Sequence, residues 1–201
     1  MGTSGFSITI LNKLVESRYQ VKVVATRPDK PAGRKKKLTP PPIKKTAMKL
    51  ELELWQPRRW DDYWISRAAE LEPDLIVTAA YGLILPEKLL KVPSYGAINV
   101  HPSLLPAYRG AAPIQRVLMD DQSFTGVTVL FMSKGIDEGD IILQEKVPID
   151  DQDDYGKLSS RLAIRGGELL SRAIDLVAAG KEQPIPQNHL ESTYAPPIAS
   201  S

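Results

Sequence analysis

Strand-like and helix-like stretches take turns along this chain, and that alternation constrains the fold more than any other feature. A helix is predicted from about Ser4 to Ser17, where Phe6, Ile10 and Leu14 fall four apart and Leu11 and Val15 widen the apolar stripe. Val21 to Thr26 reads as a β-branched strand, bounded by the turn formers Arg27, Pro28 and Asp29. Helices near Ile43 to Leu52 and Asp61 to Leu71 lead to a strand over Leu75 to Ala79. The strand Ala97 to Val100 precedes a helix around Pro113 to Met119. Gly126 to Met132 and Ile141 to Ile149 are two further strands, the second a candidate for antiparallel pairing, and Tyr155 to Ala179 is the last helix. Helices between strands imply crossovers, hence a mostly parallel sheet with helices on both faces. The expected fold is a doubly wound α/β domain over residues 1–180, followed at 181–201 by a proline-bearing linker or tail. Ligands of such sheets lie beyond the carboxyl ends of the strands, which directs attention to residues just after Ala79, Val100 and Met132.

Composition removes several classes of chemistry. The chain has 201 residues, 42% hydrophobic and 25% charged, as expected of one globular domain with a sizeable core. It has no cysteine, so disulfides, thiolate zinc sites and cysteine nucleophiles are excluded. No apolar run reaches the ~20 residues that cross a bilayer, and the start lacks a signal-peptide pattern. A cytosolic location without membrane attachment is expected. Charge is unevenly spread. Arg27 to Lys45 holds eight basic residues against Asp29 alone, a local +7 within a total of +2. Within it, Pro28 to Pro42 contains five prolines and is too poor in apolar residues to be expected as regular structure. Two readings of this run stand open, a polyanion contact and a solvated surface loop.

Two polar clusters are candidates for chemistry. His101 ends a predicted strand, and Asn99, two residues earlier, shares its face, so an amide donor and an imidazole converge as acyl transfer would require. The alternative is a histidine satisfied by hydrogen bonds within a turn. The second cluster is the glycine-flanked turn from Lys134 to Asp140, whose carboxylates are either functional or solvated turn residues. Metal-ligand spacing is absent, and Ser103 lacks a Gly-x-Ser-x-Gly elbow. Neither a Gly-x-x-x-x-Gly-Lys-Ser/Thr loop nor Gly-x-Gly-x-x-Gly occurs.

The stretch Asn99-Val100-His101-Pro102-Ser103-Leu104-Leu105-Pro106, with Tyr108-Arg109-Gly110 after it, resembles the signature of the 10-formyltetrahydrofolate-dependent formyltransferases, which have a Rossmann-like fold. Gly135-Ile136-Asp137-Glu138-Gly139-Asp140 resembles the aspartate motif that accompanies it, with Asp137 lying 36 positions after His101. Those motifs are shared by members that act on ribonucleotides, nucleotide sugars and methionyl-tRNA. Three further stretches are similar to the methionyl-tRNA branch: Arg27 to Leu38, Ala80 to Pro86, and Arg109 to Gln115.

The resemblance implies formyl transfer from 10-formyltetrahydrofolate as co-substrate to the α-amine of methionyl-tRNA, without a metal. It implies Asn99, His101 and Asp137 as the catalytic residues, and tRNA contacts by Arg34, Lys35, Lys36 and Lys37. It places pterin contacts on Gly82, Leu83, Ile84 and Leu85 and on Gly135, Ile136, Glu138 and Gly139, and sets Phe6 beside the methionyl side chain. The family also carries a complete strand before Gly2-Thr3 and a second, β-barrel domain, so a missing first strand and truncation at both ends are expected here. An acceptor of the nucleotide-sugar or ribonucleotide type, and an inactive fragment that only binds, are the alternatives.

Overall fold

The computed structural model describes residues 1–33 and 36–198. Local sequence accounts for most of the elements. The apolar stripe of the first segment forms α1 (Gly5–Val15), which buries Phe6, Ile10 and Leu11. The short strand β1 (Val24–Ala25) follows. The basic segment holds an antiparallel hairpin, β2 (Lys30–Ala32) with β3 (Lys37–Thr39), where no regular structure was expected. A hairpin needs only backbone bonds and a turn, here with Gly33 and Lys36 at positive φ, so it forms without an apolar face. Arg34 and Lys35 lie outside the described residues.

Next come α2 (Pro42–Lys49), started by Pro42, and β4 (Leu54–Trp55). In α3 (Asp62–Glu70) the Asp61 side chain caps the amino end by accepting from the Trp64 backbone N–H. Then follow β5 (Ile76–Ala79), the one-turn α4 (Glu87–Leu90), β6 (Ala97–His101), the two-residue β7 (Arg109–Gly110) and α5 (Pro113–Met119). Two long strands, β8 (Phe124–Phe131) and β9 (Ile141–Pro148), precede α6 (Tyr155–Ala178), capped by Asp154. A 3-10 turn at His189–Glu191 and β10 (Tyr194–Ala195) complete the described chain.

The architecture is mixed α/β. β4 and β1 are parallel, Gly2 donates its N–H to the Ala25 carbonyl and bridges Ala79 in the parallel sense, and β5 is parallel to β6. β8 and β9 then extend the sheet antiparallel. The mostly parallel sheet expected from the sequence is therefore confined to the half from β4 to β6. Helix α5 has seven residues, roughly 10 Å, too short to carry the chain back across the sheet. β8 accordingly starts near the carboxyl end of β6, with Thr128 opposite His101. Where the first strand was expected to be missing, Met1 and Gly2 hold the position between β1 and β5. Beyond them lies a cleft of about 250 Å³ lined by Leu14, Val21, Val23, Leu75 and Val77.

Helices cover both faces. On one, Ile98, Val100, Val127 and Val129 pack against α1, α5 and α6. On the other, Ala97 and Ile76 join Trp60, Ala68, Tyr81 and Leu89. α6 lies so close to the sheet that a Cβ on Gly166 would stand 2.9 Å from Val100 Cγ1 and 3.3 Å from Val127 Cγ1. We expect Gly166→Val to destabilise the domain by roughly 1–3 kcal/mol through overpacking, read as a lower melting temperature. An unchanged or higher one would mean that the helix can stand off the sheet at no cost.

Candidate active site

β6 separates the core from the chemistry. Its alternation turns Ile98 and Val100 toward α6 and leaves Asn99 and His101 on the opposite face, next to the loops. His101 is 4% exposed. Its Nε2 lies 2.9 Å from the Tyr108 carbonyl oxygen, a group that only accepts, so Nε2 carries a proton and donates it there. The other ring nitrogen, Nδ1, faces Asp137 Oδ2 at 3.5 Å, and this contact is attractive when one proton lies between the two atoms.

Asp137 arrives by an indirect route. Because β8 is antiparallel, its carboxyl end lies beside Ala97 and Ile98, the far end of β6 from His101. The turn after Phe131 doubles back over the face, with Asp137 itself at φ +53°. Gly139 allows the close approach: a Cβ there would fall 1.8 Å from the Phe131 carbonyl oxygen. Once delivered, the carboxylate accepts from Asn99 Nδ2 at 3.2 Å through Oδ1 and from the Gly110 N–H at 2.9 Å through Oδ2. The structure thus brings Asn99, His101 and Asp137 together.

Thr78, opposite Asn99 on β5, orients the amide. Its buried hydroxyl donates to Asn99 Oδ1 at 2.7 Å, which turns Nδ2 toward Asp137. One hydrogen of Nδ2 meets Asp137, and the other remains available to a reacting oxygen.

Gly82 to Leu85 follow β5 in the chain. Leu85 is buried and Leu83 partly buried in a cluster that Met132, at the start of the turn, also joins. Gly82 has φ +75°, and a Cβ there would meet Arg27 Nη1 at 3.0 Å. Ile84 and Ile136 are 81% and 53% exposed. Gly135 and Glu138 flank Asp137 in the same turn, where a Cβ on Gly135 would collide with the Glu138 carboxylate. Burial pushes the Tyr81 phenol up to about 12, so its hydroxyl stays protonated and accepts from Trp60 Nε1.

Phe6 is buried at the start of α1 and lines a cleft of about 280 Å³ with Thr9, Tyr155 and Ser159. Lys36 and Lys37 are exposed on the hairpin. Asp29, the one acid of that segment, is held by Gln56 and Lys44, each at 2.8 Å, and these two keep its carboxyl below the usual range. Among the described residues, no three His, Asp or Glu side chains gather as a metal site requires, and no helix is long and apolar enough to cross a membrane.

Sequence reasoning missed the segment after Gly180. Within the described residues it lies against the domain: Ile185 pairs with Ile141 in both directions at 2.9 Å, and β10 runs parallel to β7. Gln187 reaches from it to the Asp137 turn. Neither Gln187 nor Thr78 announces itself in the sequence, because both work through contacts between distant segments.

The chain is similar to known proteins in both sequence and fold. The chain is 46% identical over 98% of its length to the methionyl-tRNA formyltransferase of Hydrogenobaculum sp. and 47% identical over 98% to that of Caldicellulosiruptor saccharolyticus. It spans 65% and 64% of those two relatives' own lengths. Its fold matches the N-formyltransferase of Helicobacter canadensis, solved with folinic acid and dTDP-3-aminofucose, with a TM-score of 0.74 at 20% identity over 97% of this chain and 68% of that one. Residues 1–174 match the formyl transferase family. A family match over residues 1–174, with relatives of this closeness, leaves one assignment: the chain belongs to the formyl transferase family.

Proposed function

We propose that the chain carries the catalytic site for transferring a formyl group from 10-formyltetrahydrofolate to the α-amine of methionyl-tRNA. The observation that carries this reading is the convergence of Asn99, His101 and Asp137 in a chain 46–47% identical to methionyl-tRNA formyltransferases. In the reaction the amine attacks the formyl carbon, a C–N bond forms, and the carbonyl oxygen becomes an oxyanion. Collapse then breaks the bond to the folate nitrogen, and the proton lost by the amine ends on that nitrogen. The free hydrogen of Asn99 Nδ2 meets the oxyanion, a kind of contact worth about 2.7–4 kcal/mol where it has been removed from other enzymes. His101 Nδ1 and Asp137 Oδ2 hold the proton in transit. No metal enters this scheme.

Folate binding is assigned to Gly82–Leu85 and to Gly135, Ile136, Glu138 and Gly139, which present Ile84 and Ile136 at the surface. Phe6 and its cleft are assigned to the methionyl side chain. The hairpin, with Arg34, Lys35, Lys36 and Lys37, is assigned to the tRNA. The purified chain, given 10-formyltetrahydrofolate, should formylate methionyl-tRNA in preference to glycinamide ribonucleotide or a dTDP-amino sugar, read by mass of the product. Preference for either small acceptor would replace this reading with that of another branch.

Three expectations follow for variants. His101→Ala and Asp137→Asn should each lower kcat by about 10²–10⁴ with little change in folate affinity, since both act mainly on the transition state. A large loss of folate binding with turnover intact would instead make them binding residues. Thr78→Val frees the Asn99 amide to rotate and should lower kcat about fivefold, as loss of one hydrogen bond near ~1 kcal/mol implies, while Thr78→Ser restores it. Equal activity in the valine variant would show that the amide holds its orientation unaided. Replacing Arg34, Lys35, Lys36 and Lys37 with glutamine should weaken tRNA binding and reduce the slope of log affinity against log salt by roughly 0.7–0.9 per lost phosphate contact. An unaltered slope would return the hairpin to ordinary solvated surface.

A further inference from the structure

Gln187 lies on the segment after α6, 50 positions from Asp137 in sequence, yet it is 6% exposed and every hydrogen-bonding position of its amide is used. Nε2 donates to the Asp137 carbonyl at 2.9 Å and to the Gly139 carbonyl at 2.7 Å. Oε1 accepts from Arg109 Nε at 3.1 Å and Nη2 at 2.7 Å. This pattern fixes the amide in one orientation. A guanidinium only donates and carbonyls only accept, so a flipped amide would set N–H against N–H and oxygen against two oxygens. Of the charged alternatives, glutamate has no donor for the carbonyls, and lysine has no acceptor for Arg109.

The same four bonds join the two pieces of backbone that hold the Asp137 carboxylate. One is the turn bearing Asp137. The other is β7, where Gly110, next to Arg109, donates its N–H to Asp137 Oδ2. Gln187 is itself anchored on both sides. Ile185 pairs with Ile141 just beyond the turn, and Tyr194 is in register with Arg109. The guanidinium is further fixed by His189 Nδ1 at 3.3 Å and by Glu138 Oε1 at 3.8 Å.

We propose that Gln187 is a positioning residue: through its two N–H donors it holds the Asp137 turn at the distance from His101 and Asn99 that the chemistry needs. Asp137 lies in the left-handed region at φ +53°, which aspartate tolerates better than most residues at a modest cost, and the bonds from Gln187 favour that conformation. The segment after Gly180 thereby becomes part of the catalytic site.

This proposal rests on the formyl-transfer reading for its kinetic consequence only, and the test separates the two. Gln187→Leu removes all four bonds. Gln187→Glu keeps the acceptor for Arg109 and the side-chain volume but loses both donors. In each variant we expect hydrogen exchange of the Gly110 amide, which Asp137 Oδ2 protects, to accelerate at least tenfold while amides of Leu169 and Leu170 in α6 keep wild-type protection. kcat should fall by about 10–100-fold, the scale of an ångström-level displacement. In an Asp137→Asn background either substitution should cost little more, since both act through the same carboxylate. Wild-type exchange at Gly110 in both variants overturns the proposal. So does full activity of Gln187→Glu, a fully additive loss in the Asp137→Asn background, or exchange accelerated equally throughout α6, which would make Gln187 a support of the whole domain. A wild-type chain that forms no formylated product, yet shows the Gly110 response, would refute the formyl-transfer reading and leave the positioning role standing.

Discussion

The site depends on the two-residue period of one strand. β6 is buried on both faces, and each face has a different task. Ile98 and Val100 close the core beneath α6, while Asn99 and His101 present an amide and an imidazole to the opposite side. A slip of one residue in register would put the polar pair into the apolar core and two branched side chains into the site. Pairing on both edges prevents this: Thr78 lies opposite Asn99 on β5, and Thr128 lies opposite His101 on β8. The chemistry therefore inherits its precision from the register of the sheet.

The third member of the cluster comes from a turn, and its placement needs more help. An antiparallel β8 ends at the wrong end of β6, so the chain must fold back over the face to bring a carboxylate to His101. Positive φ at Asp137 and the missing Cβ of Gly139 make the reversal possible. Hydrogen bonds from Asn99, Gly110 and Gln187 then hold it in place. The polar groups in this region pair with one another, as burial demands, since an unpaired donor or acceptor there would cost about 1–3 kcal/mol.

Most helices and long strands were legible in the sequence because each is written in a contiguous, periodic stretch. The helix beginning at Tyr155 ends within a residue of its expected bound, and Pro113 to Met119 forms a helix as expected. Of the short elements, β1 falls within the strand expected at Val21 to Thr26, but the others were not legible. The two-residue strands β4, β7 and β10 exist only through their partners, and the hairpin at Lys30 to Thr39 hides in a run whose apolar content is low. The antiparallel sense of β8 was equally hidden, since strand direction depends on where a connection lands rather than on the residues within the strand. The pairing of Asn99 with His101 was readable from their spacing alone. Bringing Asp137 to them was a reading by resemblance, because nothing local ties a turn 36 residues away to that strand.

The sequence by itself determined the alternation of elements, the basic charge of the segment from Arg27 to Lys45, the absence of thiol chemistry and the pair of polar residues on one face of a strand. These follow from composition and from periods of 2 and 3.6, which are local properties of a chain. Only the tertiary structure decided that Thr78 orients the Asn99 amide, that the Tyr108 carbonyl sets which nitrogen of His101 is free, and that Gln187 on the final segment grips the Asp137 turn. Each of these is a single hydrogen bond or a small set of them between residues 7, 21 or 50 positions apart. Such bonds depend on distances of a few tenths of an ångström, and those distances exist only once the sheet, the turn and the last segment have packed together.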